Sequence, residues 1–128
     1  HILSVDREAK NIDAIFKFAA NERIFFHKHI ADYSTFIIQG ELRLYDDKGT
    51  LTEVRPTANF AQKAGGGAPH SEGGGDQDCI AWFNFSGTVG KLYEVLGEKG
   101  EVVGAFAFSD FEALLKAQSE PVQPIIPG

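Results

Sequence analysis

The sequence predicts an all-β fold, a small sandwich or barrel, with one short helix near the C-terminal end. Three observations carry this expectation. Short runs rich in Phe, Ile, Val, Leu and Tyr recur along the chain, separated by glycine- or proline-bearing turns at intervals of roughly eight to twelve residues. Eleven phenylalanines and a hydrophobic fraction of 43% in 128 residues supply one sizeable core but not two, so residues 1–128 are expected to form a single domain. Only one stretch carries a helix start signal: Ser109-Asp110-Phe111-Glu112 reads as a capping box ahead of Ala113 to Ala117.

Taken in order, residues 1–13 are mixed and polar and read as a lead-in without a clear period. Ile15 to Ala19 is the first predicted strand, and Ala20 to Arg23 a turn pivoting on Asn21. Ile24 to Ile30 follows as a strand, with Phe25, His27 and His29 on one face and Phe26 and Lys28 on the other. Thr35 to Asp46 is expected to be one long strand bent at Gly40, closed by the turn Asp47-Lys48-Gly49-Thr50. Leu51 to Arg55 and Asn59 to Lys63 are short strands broken by Pro56, followed by a glycine-rich turn that bears His70. Ser71 to Asp78 reads as a polar surface connection, or alternatively as a mobile lip beside His70. Ile80 to Phe85, Gly90 to Leu96 and Val102 to Phe106 are the last strands, the final two joined by Gly97-Glu98-Lys99-Gly100. Pro121, Pro124 and Pro127 make residues 119–128 an extended tail.

Composition narrows the function. A net charge of −6 with no Lys/Arg cluster argues against a nucleic-acid partner. No apolar run approaches the roughly 20 residues that span a bilayer, and the first residues lack a secretory signal, so a cytoplasmic protein without membrane contact is expected. The single cysteine, Cys79, lies in an apolar run and reads as a packed thiol rather than a nucleophile.

The histidines are the informative residues. His27 and His29, two apart in a strand, point to one side of the pleat and can share a ligand. The chain has four histidines; setting aside terminal His1, the remaining one is His70, in a turn before the next strand. Three imidazoles suit iron, zinc, copper or nickel, so they do not name a metal. The competing reading makes them half-buried strand residues with ordinary hydrogen bonds.

At these residues the chain resembles the cupins. His27, His29 and Gly40 match the first cupin motif, while the motif's acidic position falls on Tyr33, with Asp32 one place off register. Gly67 and His70 match the second motif, with Gly65 where that motif has proline. Within the superfamily the resemblance is to single-domain cupins such as the 2,4'-dihydroxyacetophenone dioxygenase-like and acetylacetone-cleaving dioxygenase-like enzymes. It is carried by Phe36 to Tyr45, by Pro69-His70 with Ala81 to Gly87, and by Leu92-Tyr93-Glu94, and it spans about Ala14 to Lys116.

The resemblance implies a cupin double-stranded, jelly-roll-like β-barrel and a homodimer. It also implies a non-haem metal, Fe(II) by preference with Zn, Mn or Ni as alternatives, held by His27, His29 and His70 without an acidic ligand. The implied reaction is cleavage of a carbon–carbon bond in a small diketone or hydroxyketone with dioxygen. Tyr33 and Arg43 are the candidate catalytic residues, and Phe25, Tyr33, Phe36, Ile38, Trp82 and Phe83 the candidate cavity lining. Asn84 and Glu94 are weaker candidates as partners of the histidines. Two other readings stay open: a non-enzymatic module that binds a metal or small ligand for sensing, and a zinc- or manganese-bearing hydrolase or isomerase. Because a ligating imidazole must be neutral, three ordinary histidines would give up as many as three protons to a metal.

Overall fold

The computed structural model describes residues 1–118; the tail expected over residues 119–128 lies outside them. In chain order the elements are β1 (Ile2–Asp6), β2 (Asn11–Phe18), β3 (His27–His29), β4 (Asp32–Gln39), β5 (Leu42–Tyr45), β6 (Leu51–Arg55), β7 (Phe60–Lys63), β8 (Ser71–Gly74), β9 (Cys79–Ser86), β10 (Lys91–Leu96), β11 (Val102–Ala107) and α1 (Phe108–Ala117).

Alternation organises the largest sheet. In β9 every second side chain, Cys79, Ala81, Phe83 and Phe85, is buried, and β2 and β4 flank it with Ile12, Ala14 and Phe18 and with Tyr33, Thr35 and Ile37 turned the same way. The sheet runs β1-β2-β9-β4-β7, every neighbour antiparallel. Helix α1 packs Phe108 and Phe111 onto it, the Phe111 ring 5.8 Å from that of Phe85. Each fully buried Phe contributes about 2 kcal/mol of apolar transfer, so this face dominates the core.

The expected closed barrel does not form. Strands β11-β10-β3 and β6-β5-β8 make two further sheets of three strands each, separate from the first. The edges of β3 and β8 approach each other, but only the isolated bridges Arg23↔Gly73 and His27↔His70 join them. Phe25 and Phe26 leave the ladder between these bridges: the Phe25 carbonyl receives the His27 ring and the Phe26 carbonyl accepts from the Leu96 amide. A continuous ladder cannot cross that gap. The fold is therefore all-β, three sheets and one short helix, without closure.

Several local expectations also shift. The lead-in contains β1, which pairs with β2. The long strand predicted over Thr35 to Asp46 divides into β4 and β5 in different sheets. At the corner Gly40 has φ +72°, and a Cβ there would stand 2.7 Å from the Asp78 carbonyl oxygen. The helix begins two residues early, with Ala107 rather than Ser109 at the N-cap. Its first turn is capped by the Asp110 carboxylate, which accepts from the Ala107 amide at 2.7 Å, while Glu112 pairs with Arg7 instead of reaching back. The residues expected to connect from His70 as a surface loop begin with β8, a buried strand paired along β5.

Candidate metal centre

His27 and His29 sit on β3 with burial alternating inward, and β10 fixes their register through Val95↔His27 and Tyr93↔His29. His70 is delivered opposite by its two-way backbone pairing with His27, both hydrogen bonds at 2.9 Å. The three rings converge, with centroids 4.7 to 5.2 Å apart. Glu72, on β8 and two residues beyond His70, turns its carboxylate into the same point: Oε1 lies 3.5 Å from His27 Nε2 and Oε2 3.7 Å from His70 Nε2. One donor atom from each of the four residues lies within 4.8 Å of all the others.

This arrangement fits a metal. Both ring nitrogens of His29 and Nε2 of His70 are buried without a hydrogen-bond partner, which is costly in a protein interior unless something satisfies the lone pairs. The Glu72 oxygens stand too far from the imidazoles for good hydrogen bonds, yet donors about 2.1 Å from one cation lie about 3 to 3.5 Å apart, close to the spacing here. The His27 Nδ1–H donates to the Phe25 carbonyl at 3.0 Å, which turns Nε2 toward the cluster.

The charges are arranged to match. Burial acts to raise the Glu72 pKa, but His27 first and then the other two imidazoles bring it below the ordinary value, so the site holds a carboxylate. Burial acts to lower His27, and Glu72 with the Phe25 carbonyl outweighs it, leaving that imidazole above its usual value. Burial takes His29 down to about 3, helped by the charges of His27, His70 and Arg55, and it lowers His70 as well, against Glu72. Near neutrality two imidazoles thus present bare lone pairs, and the third shares a proton's attraction with Glu72.

Two cavities adjoin the cluster. One, about 390 Å³, is walled by Phe16, Phe18, Phe25, Phe83, Phe85, Tyr93 and Phe106 and reaches His27, His29 and Glu72. The other, about 340 Å³ and more polar, is bounded by His29 and His70 with Tyr33, Glu53, Arg55 and Lys63. A larger groove of about 1060 Å³, lined by Arg23, Asp46 and Lys99 among others, includes none of the four cluster residues.

Of the other residues singled out from sequence, Tyr33 is brought to the cluster and lies flat against His29, ring centroids 3.8 Å apart at 17°. Burial raises its phenol pKa against the pull of Arg55, so the hydroxyl keeps its proton. Arg43 is not brought there; it pairs with Glu41 at 2.7 Å and Asp76 at 3.6 Å and lines neither adjoining cavity. Phe25 and Phe83 line the apolar cavity, whereas Phe36 and Ile38 face outward with 39% and 47% exposure, and half-buried Trp82 alternates to that same outer face. Asn84 donates to Asn11 and Asp13, and Glu94 pairs with Lys91, both away from the histidines. Cys79 is fully buried, with burial pushing its thiol up to about 11.

Glu72 is the residue that sequence reasoning missed; it brings a carboxylate to the three histidines. Its signal was present: His70 and Glu72 are two apart, the spacing that puts both on one side of a strand. The following glycines disguised it as a loop. They serve close packing instead, since a Cβ on Gly73 would stand 1.7 Å from the Glu22 carbonyl oxygen and one on Gly74 would stand 2.8 Å from those of Phe18 and Ala19.

No protein-family model matches the chain, and no curated protein matches it. Solved structures do. An acetylacetone dioxygenase from Acinetobacter johnsonii superposes with a TM-score of 0.72 at 15% identity, covering 91% of this chain and 74% of that one. An RmlC-like cupin protein from Ralstonia eutropha JMP134 gives 0.72 at 14% identity, over 96% and 77%. A DMSP lyase from Ruegeria pomeroyi DSS-3 gives 0.58 at 18% identity over 73% of this chain, which spans 46% of that protein. At these identities the likeness speaks for the fold. The chain has the fold of the cupin superfamily and, within it, resembles the acetylacetone-dioxygenase-like members.

Proposed function

We propose that the chain is a metal-dependent dioxygenase of the cupin kind, acting on a small diketone or hydroxyketone bound in the aromatic cavity. The observation that carries this reading is the meeting of His27, His29, His70 and Glu72 beside that cavity of about 390 Å³, whose wall includes His27, His29 and Glu72. A divalent metal, ferrous iron by resemblance to the dioxygenases, would supply Lewis acidity and access to dioxygen. His27, His29 and His70 would hold it, with Glu72 on the same point. The phenylalanines and Tyr93 hold the carbon skeleton and exclude water. Glu72 keeps its negative charge beside the metal in this reading, and the substrate enters as its enolate with its proton left to solvent.

Glu72 also favours a second reading. A buried carboxylate beside a metal is a base, and the same cavity could serve a proton-abstracting elimination or isomerisation; one solved structure of similar fold is a DMSP lyase. Metal analysis followed by oxygen-electrode assays with a panel of diketones and hydroxyketones separates the two. Oxygen uptake that requires Fe(II) and disappears in His70→Ala supports the dioxygenase. Turnover without oxygen uptake supports the second reading, and metal binding with no turnover would leave a binding module.

A further inference from the structure

His29 is unusual among the cluster residues in having, among the described residues, no hydrogen-bond partner at either ring nitrogen. A metal-binding histidine ordinarily donates its second ring N–H to a carbonyl or carboxylate, which fixes the ring's orientation, as Phe25 does for His27. What holds His29 instead is a face: Tyr33 stacks on it at 3.8 Å. Tyr33 shares a cavity wall with Arg55, a guanidinium only 3% exposed on β6, whose positive charge pulls the phenol pKa down against burial. Arg55 reaches the inner face of β4 by donating to Thr35 Oγ1 at 3.0 Å, one inward-facing position from Tyr33, and its Nε donates to Glu53. Glu53 and Arg55, Tyr33 and Thr35, and His29 belong to three different sheets.

Resting on the metal-binding reading above, we propose that Arg55 is the positioning residue of His29: it pins Tyr33 flat against the imidazole, and this stacked contact replaces the hydrogen bond that His29 lacks. Glu53 and Thr35 engage the buried guanidinium, while its charge works against a nearby cation. That opposition gives the test its sign. If Arg55 acted only through charge, its removal would tighten metal binding. If it positions the ring, its removal loosens binding although a like charge is gone.

Co(II) is a suitable probe, because its visible ligand-field bands report geometry and competition titration reports affinity. Arg55→Met is expected to weaken Co(II) binding by about 10- to 100-fold and to shift the bands, the range typical for loss of a group that orients a ligand. Arg55→Lys keeps the charge but loses the planar fork, and is expected to weaken binding as well. In a Tyr33→Phe background, already weakened, Arg55→Met is expected to add nothing further, since its effect runs through the phenol. Far-UV circular dichroism checks each variant; if Arg55→Met does not fold, Arg55→Lys and Tyr33→Phe decide, and wild-type affinity and bands in both would overturn the proposal. Tighter binding or unchanged bands in folded Arg55→Met, or additive losses in the double variant, would also overturn it. Absence of Co(II) binding by the wild type would instead refute the metal reading itself, while wild-type binding without any oxygen chemistry leaves the positioning role standing.

Discussion

Metal binding at this centre is expected to release nearer one proton than three. Three ordinary imidazoles, with pKa values of about 6.5, would each be about three-quarters protonated at pH 6.0, and ligation would expel about 2.3 protons. The folded chain has already done most of that work. Burial has taken His29 to about 3 and lowered His70, so the first arrives neutral and the second carries less of a proton than an ordinary imidazole. His27 alone is held above its usual value, by Glu72 and the Phe25 carbonyl acting against burial. Isothermal titration of Zn(II) into metal-free protein at pH 6.0, in two buffers of different ionisation enthalpy, counts the protons directly. Glu72→Gln removes the main support of the His27 proton and is expected to lower the count further while weakening affinity. A wild-type release of two or more would refute the argument, because it would mean that the imidazoles titrate as if burial and Glu72 did not act on them.

The same pKa pattern predicts acid lability. His29 has a folded value of about 3 against 6.5 unfolded, so between them the unfolded chain binds more protons and stability falls with pH. At about 1.4 kcal/mol per pH unit, the metal-free protein is expected to lose about 3 kcal/mol from this residue between pH 7 and pH 4; urea denaturation of His29→Leu, compared with wild type at both pH values, should show that loss missing, and equal losses would sink the idea. Two glycines give a paired test of packing. Gly73→Ala would set a Cβ 1.7 Å from the Glu22 carbonyl oxygen and is expected to cost at least about 1 to 3 kcal/mol, whereas Gly67→Ala meets nothing within 4 Å and should stay within about 0.5 kcal/mol in thermal denaturation.

What could be read from the sequence followed the reach of each signal. His27 and His29 were legible because a period of two is local, and His70 because the other motif of the pair singled it out. Glu72 obeyed the same period, but its neighbours Gly73 and Gly74 carried two meanings, turn or close approach, and only the tertiary contacts with residues 18–22 distinguish them. Which of the candidate cavity residues face inward is open in the sequence, because the choice is one of parity. Phe83 points inward and Trp82 outward on β9, and a one-residue choice of register exchanges them. Closure of the sheets was not legible at all, since it depends on whether Phe25 and Phe26 stay in a ladder with the segment around His70, a long-range pairing that no local pattern encodes.

The carboxylate changes what the cavity can accept. Three neutral imidazoles leave a divalent cation with its full charge, whereas Glu72 at the same point halves it to a net of about one positive unit. In water that difference would matter little. In the larger adjoining cavity the walls are mostly aromatic rings, with Lys17 among the lining and no carboxylate besides Glu72, so an uncompensated positive unit is expensive there. A ligand carrying one negative charge on an otherwise apolar skeleton, as the enolate of a diketone or hydroxyketone does, would neutralise the centre and fill the cavity together. A neutral hydrocarbon would leave the charge unmatched, and a dianion would bury a negative unit against the rings. Charge count and wall chemistry therefore favour a monoanion on an apolar skeleton, a class that includes the enolate of the proposed substrate, and the preference runs through Glu72 rather than the histidines alone.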